Sequence, residues 1–202
     1  YKNNTFTENK PDNYLDKLSK YEATNLFKNP FSLKNLSKFG GARSGLLLNP
    51  ILSCTFLDKK NTRVLSIGPR TEGEIYNIIS KGFLKKNIDS IDVQSYSPLI
   101  SLGDMHEMRF SEKTFDLILC GWVMTYSYNR QKAINEIIRV SKNNAIICIG
   151  SSYHSDTHEA NDKIKSYLGS NLKKIYYELN PSDFPEEFKG TRHSLICFSV
   201  KK

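Results

Sequence analysis

The chain is predicted to form a doubly wound α/β domain, with a mainly parallel seven-stranded sheet, an antiparallel edge hairpin and an N-terminal helical extension. Three observations predict it. From residue 61 onward, apolar strand-like runs alternate with segments of helical period, the order that gives right-handed crossovers and a sheet covered on both faces. The run "TFDLILCGW" is almost continuously apolar, as a strand buried on both faces requires. The last two runs, "KKIYYEL" and "HSLICFSVKK", have no helix between them, so they pair as a hairpin at one edge.

Residues 1–60 read as a helical extension and residues 61–202 as the core of one domain. In "PDNYLDKLSKYEATNLF", Tyr14, Leu15, Leu18, Tyr21 and Leu26 recur at helical spacing. Pro30 and Gly40-Gly41 interrupt the chain beyond that helix, and "GLLLNPILSCTFLD" supplies a second helix start that covers the sheet. The core opens with the strand "RVLSIG" and the helix "EGEIYNIISKGF", which turns Ile75, Ile78 and Ile79 inward. "NIDSIDVQ" is the second strand, "LISLGD" a short third and "TFDLILCGW" the fourth. The helix "RQKAINEIIRVSK" places Ala133, Ile134, Ile137 and Ile138 on one side, and "NAIICIGS" is the fifth strand. "HEANDKIKSYLGS" is a short helix ending at Gly169.

Composition sets the outer bounds. With 202 residues, 39% apolar and 25% charged, the chain has enough material for one globular core. No apolar run approaches the roughly 20 residues of a spanning helix, and "YKNNTFTENK" lacks a signal-peptide core. A cytoplasmic location is the expectation. Cys54, Cys120, Cys148 and Cys197 include no C-x-x-C pair, so free, mostly buried thiols are expected rather than a disulfide framework or a metal site. The net charge of +8 invites a nucleic-acid reading, but the lysines are scattered in short groups rather than gathered in a stripe. A solvated basic surface explains them better.

Ligands of open α/β sheets bind at the C-terminal strand ends, and there the sequence places a constellation. The first strand delivers Gly68, Pro69, Arg70, Thr71, Glu72 and Gly73 in "VLSIGPRTEGE". Neither G-x-G-x-x-G nor a phosphate loop is present. The second strand delivers Asp92, 24 positions after Gly68, where an acidic residue binds a ribose diol in nucleotide sites. The third delivers Gly103, Asp104 and Met105, and the fourth ends in Cys120, Gly121 and Trp122.

The run "GDMHEMRFSEKTFDLILCGWVMTYSYNRQKAINEIIRVSKNNAIICI", residues 103–149, resembles the core of class I S-adenosylmethionine-dependent methyltransferases of the type 11 kind. The resemblance spans roughly residues 62–150, and its most specific part is "FD" opening the fourth strand with "EIIRV" closing the next helix. It implies a Rossmann-like fold with a reversed last strand. It also implies S-adenosylmethionine as cofactor, its methionine end held by the turn that contains Gly68, Pro69 and Gly73. Asp92 would then bind the ribose, Asp104 the adenine amino group and the Met105 amide a ring nitrogen; Gly121 and Trp122 would line the methyl-transfer channel. The chain departs from the family pattern where Ser66 replaces an acid and Arg70 a second glycine. Glu72 facing the ligand's ammonium and Arg70 facing its carboxylate are the expected replacements.

Among the histidines, His154 after the fifth strand is the candidate general base, with a solvent-facing loop residue as its alternative. His106 reads as structural beside the adenine site; His158 and His193 are weaker candidates for the base. Tyr126 and Tyr128 either shape an acceptor pocket or serve packing. Lacking a large lid, the acceptor site is open or is completed by a second subunit in a homodimer. The expected activity is O- or N-methylation of a small molecule or glycan. The alternatives are an RNA methyltransferase, disfavoured by the absence of an N/D-P-P-Y/F segment after the fourth strand, and a non-catalytic member that binds cofactor or a protein partner.

Overall fold

A computed structural model describes residues 4–5, 42–69, 71–95, 97–152, 160–180, 183 and 193–202. The helix expected around Tyr14–Leu26 lies outside the described residues, as do Arg70, His154 and His158. In chain order the elements are β1 (Asn4–Thr5), α1 (Ala42–Cys54), β2 (Val64–Ile67), α2 (Glu72–Ser80), β3 (Ile88–Asp92), β4 (Gln94–Ser95), β5 (Ser101–Leu102), β6 (Phe115–Gly121), α3 (Arg130–Val140), β7 (Ser141–Ser152), α4 (Ala160–Leu168), β8 (Leu172–Leu179) and β9 (His193–Val200). Seven of these strands form one sheet in the order β5-β3-β2-β6-β7-β9-β8. The pairs from β5 to β7 are parallel, while β9 runs antiparallel to both β7 and β8. That is the expected doubly wound sheet with its edge hairpin. A minor sheet, β1 with β4, pairs Asn4 with Ser95 and was not foreseen.

Alternation along the strands sends side chains to two layers. Val64, Leu117, Leu119, Ile146 and Leu195 pack beneath α1 and α2 with Leu47, Leu48, Ile75 and Ile78. Leu65, Ile67, Ile118, Ile147 and Ile196 pack against α3 and α4 with Ala133, Ile134, Ile137 and Ile164. The expected inward residues of α2 and α3 are thus in the core, with Ile79 and Ile138 half-buried at its margin. β7 begins at Ser141, three residues before its expected start; the left-handed Asn144 (φ 67°) lies inside it, where the pairing with β6 slips.

The cysteine expectation needs correction. Cys148 and Cys197 are a disulfide pair across β7 and β9, with Cα atoms 4.2 Å apart. The reversed β9 sets them directly opposite each other, a register that spacing along the chain does not reveal. Cys54 and Cys120 are free.

The "EIIRV" segment acts as a clamp. Arg139 donates from Nη1 to the Phe110 carbonyl and from Nη2 to that of Met108, each at 2.8 Å. Its Nε meets Glu136 Oε1 at 2.6 Å, and Glu136 Oε2 accepts from the Met108 amide at 2.8 Å. Burial would raise the Glu136 pKa, but Arg139 and that amide outweigh it and hold the carboxyl below its ordinary range. Three of these hydrogen bonds fix the loop between Asp104 and β6 to the end of α3, and the Arg139–Glu136 pair braces them. Replacement Arg139→Ala is expected to cost about 2 kcal/mol, because two carbonyls and a carboxylate lose their donor. Urea unfolding measures the loss, and amide exchange at Met108 and Phe110 should rise with it.

Candidate functional site

At the C-terminal edge of the sheet, each strand hands its chain to a turn that the neighbouring strand holds. Gly68 donates to the Ile91 carbonyl at 2.8 Å, Gly103 to that of Asp92 at 2.9 Å, and Trp122 to that of Gly150 at 2.9 Å. Gly68 has φ +70°, and a Cβ there would overlap the Val123 side chain. Both facts require glycine. Gly103 is constrained by contact alone, since its Cβ would stand 3.1 Å from Ile91.

These turns enclose a cleft of about 350 Å³, counting its open mouth. Ile67, Ile91, Val93, Met105 and Val123 give it apolar walls; Gly68 and Gly103 expose backbone, Asp92 brings the carboxylate and Tyr126 an aromatic ring. Asp92 Oδ1 accepts from the Gln94 amide at 3.2 Å, which orients the carboxylate at the end of β3. Of the residues singled out in the sequence, Gly68, Asp92, Gly103, Met105 and Tyr126 line the cleft. Val93 could have been inferred as the neighbour of Asp92 in "DV". No sequence signal marked Val123.

Asp104 is buried beneath this wall. Its Oδ1 accepts from the His106 amide at 3.0 Å and meets His106 Nδ1 at 2.6 Å. A carboxylate only accepts, so Nδ1 carries its hydrogen, and Nε2 meets the Ser127 hydroxyl at 2.7 Å. Tyr128 stacks on the imidazole with ring centroids 3.9 Å apart. His106, wholly buried, thus links the residue under the cleft to the loop after β6.

The other predicted residues stand around the cleft. Pro69 follows Gly68 directly, and Glu72 opens α2, where its Oε1 accepts the Ser97 hydroxyl at 2.5 Å. Gly73 lies in the first helical turn, and buried Glu74 beside it approaches Gly121. Gly121 and Trp122 lie outside the cleft lining. Trp122 adopts φ 60°, which turns its indole onto Gly150, 3.0 Å from where a Cβ would be. The indole Nε1 donates to His193 Nδ1 at 3.0 Å, and the Arg43 guanidinium lies over the ring, 5.2 Å from its centroid.

An indole N–H can only donate, so His193 must keep Nδ1 unprotonated. Burial lowers the His193 pKa, and Arg43 pushes it the same way. The unfolded chain therefore takes up this proton first as pH falls. The protein is expected to lose stability as pH falls below about 6.5, the ordinary histidine value, with the loss complete once the folded pKa is passed. A His193→Gln variant should lack that step when unfolding is followed between pH 7 and 5.

Residues 76–149 match the family model described as a methyltransferase domain. Comparison with curated protein sequences finds no match. Among solved structures, the chain is similar to the Burkholderia thailandensis 1,6-didemethyltoxoflavin-N1-methyltransferase with bound 1,6-didemethyltoxoflavin and S-adenosylhomocysteine. The TM-score is 0.63 at 11% identity, covering 98% of this chain and 94% of the other. The Haemonchus contortus phosphoethanolamine N-methyltransferase 2 gives 0.65 at 13% identity, with 96% and 61% covered. A SAM-dependent methyltransferase from Aquifex aeolicus gives 0.55 at 14%, with 84% and 99% covered. By the match over residues 76–149 and by its fold, this chain is similar to the class I, S-adenosylmethionine-dependent methyltransferases.

Proposed function

We propose that the chain transfers a methyl group from S-adenosylmethionine to an oxygen or nitrogen of a small-molecule or saccharide acceptor. The observation that carries this reading is the Asp92 carboxylate set at the rim of an apolar cleft beside a glycine turn. The cleft suits an adenosine. Ile91, Val93 and Met105 offer apolar surface to a base, Asp92 offers acceptors to a ribose diol, and Gly68 leaves the backbone bare where a Cβ would intrude. Acceptors named with two of the similar structures, 1,6-didemethyltoxoflavin and phosphomonomethylethanolamine, are small molecules, which supports that class here.

When bound, the cofactor supplies a methyl group on a sulfonium centre, ready for in-line attack. The chain's own residues then have positioning work. Asp92 holds the ribose and Asp104, fixed by His106, supports the adenine side. Val123 and Tyr126 close the cleft from the β6 loop and exclude water. No base can be assigned from the described histidines. Both ring nitrogens of His106 are engaged and buried, and the one basic nitrogen of His193 is taken by Trp122. Alignment and desolvation of the acceptor carry the rate in this reading. A thiol mechanism at Cys120 is disfavoured, since burial pushes that group up to about 12 and leaves it protonated.

Calorimetric titration with S-adenosylmethionine and S-adenosylhomocysteine tests the assignment. Saturable binding by the parent chain is expected. Asp92→Ala should weaken it by about 30-fold, the loss of two hydrogen bonds of about 1 kcal/mol each. Absence of heat at millimolar ligand would remove the cofactor, and with it the enzyme reading.

A further inference from the structure

Behind the β6 terminus, on the sheet face covered by α1, lies a polar cluster that the cleft does not use. Arg43, in the first turn of α1, is half-buried. One of its five N–H groups donates to the Gly121 carbonyl at 2.5 Å, and its charge sits over the Trp122 face. Among the described residues no carboxylate forms an ion pair with it. Glu74, the buried acid on the near side of Gly121, has partners of its own. A half-buried guanidinium satisfied by one carbonyl and a ring has donors to spare, and burial of such a charge is costly unless an anion meets it.

His193 supplies a second donor at the same place. It is the first residue of β9, paired with Ser152 at the end of β7, so it too stands at the C-terminal edge of the parallel strands. Because Nδ1 accepts from Trp122, the neutral ring carries its hydrogen on Nε2, which makes no hydrogen bond to the described residues. The indole therefore fixes both groups: Arg43 over its face and His193 at its N–H edge, the rings crossing at 89°. The Arg43 N–H groups beyond the one given to Gly121 and the Nε2–H of His193, which have no acceptor among the described residues, suit an oxygen anion.

We propose that Arg43 and the Nε2–H of His193 bind a small oxyanion, a carboxylate or a phosphate, next to the methyl-transfer site. Gly121, which accepts from Arg43, stands beside the Gly68 carbonyl, so the two sites adjoin. The anion then has two sources, which rest on the methyltransferase reading: the α-carboxylate of the cofactor, or an acidic group on the acceptor. The oxyanion site itself stands on the geometry alone.

Trp122 is the single tryptophan of the chain, so its emission reports on this site directly. Purified protein is titrated with sodium acetate and with inorganic phosphate at constant ionic strength in chloride. A saturable change in emission is expected, and Arg43→Met should weaken it roughly tenfold or more, the worth of one charge-assisted contact. Arg43→Lys, which keeps the charge but loses the planar fork, should weaken phosphate binding less and guards against a misfolded methionine variant. No saturable change in the parent, or equal half-saturation in parent and both variants, overturns the proposal. The titration is repeated with saturating S-adenosylhomocysteine and with 5′-methylthioadenosine, which lacks the amino-acid carboxylate. Anion binding that survives both assigns the site to the acceptor; binding blocked by S-adenosylhomocysteine alone assigns it to the cofactor's carboxylate. If calorimetry finds no binding of S-adenosylhomocysteine while acetate still titrates, the oxyanion site stands and the methyltransferase reading falls.

Discussion

The backbone turns left-handed at Trp122, and the arrangement of the whole C-terminal edge depends on that one residue. A bulky residue at φ 60° is disfavoured by roughly 1–2 kcal/mol. Specific contacts hold it there. Its amide donates to Gly150 at the end of β7, its indole lies flat on the same glycine, and its Nε1–H is satisfied by His193. Burial of the indole, 6% exposed, offsets the backbone cost. Any side chain at position 150 would press on the ring, so Gly150 and Trp122 are one structural unit.

Consecutive side chains go to opposite sides of the β6 terminus. Trp122 goes to the α1 face with Arg43 and His193, while Val123 swings over Gly68 and closes the cleft. The same geometry explains why Gly68 has no latitude: its own positive φ and the Val123 contact each exclude a side chain. The Ser127 hydroxyl, just beyond the turn, then ties the loop to His106 and through it to Asp104. Asp104 beneath the cleft and the β6 loop are therefore parts of one hydrogen-bonded chain.

Much of this architecture was legible in the sequence because it is written in periodicity. The seven strands, the reversed last pair and the inward faces of α2 and α3 follow from apolar spacing alone. Gly68 and Asp92 were legible as lining residues of the cleft for a different reason: a glycine follows an apolar strand, with an acid at a fixed distance beyond at the next strand end. The features that stayed hidden depend on contacts between distant segments. The Cys148–Cys197 pairing exists only once β9 is docked in register. The sign of φ at Trp122 is invisible to hydrophobic pattern, so the residue was expected in the channel, whereas the structure sets it on the opposite side of β6. Arg43 carried no signal at all, since its segment read as cover for the sheet and its partners lie 78 and more positions away.

The two sides of the β6 terminus differ in charge, and that difference bears on how specificity is divided. The cleft side presents Asp92, with Asp104 buried behind apolar walls, a setting that suits a neutral base and a ribose diol. The far side presents Arg43 and a histidine held neutral by Trp122, with no described carboxylate paired to the guanidinium. A positive site next to a negative one favours a ligand, or a pair of ligands, polarised along the same line. On the proposed reading, the nucleoside is met by the strand ends, while Arg43 on α1, a segment outside the parallel core, meets the anion. Because Arg43 lies on a covering helix, replacing it leaves Gly68, Gly103 and Gly150 at the strand ends in place.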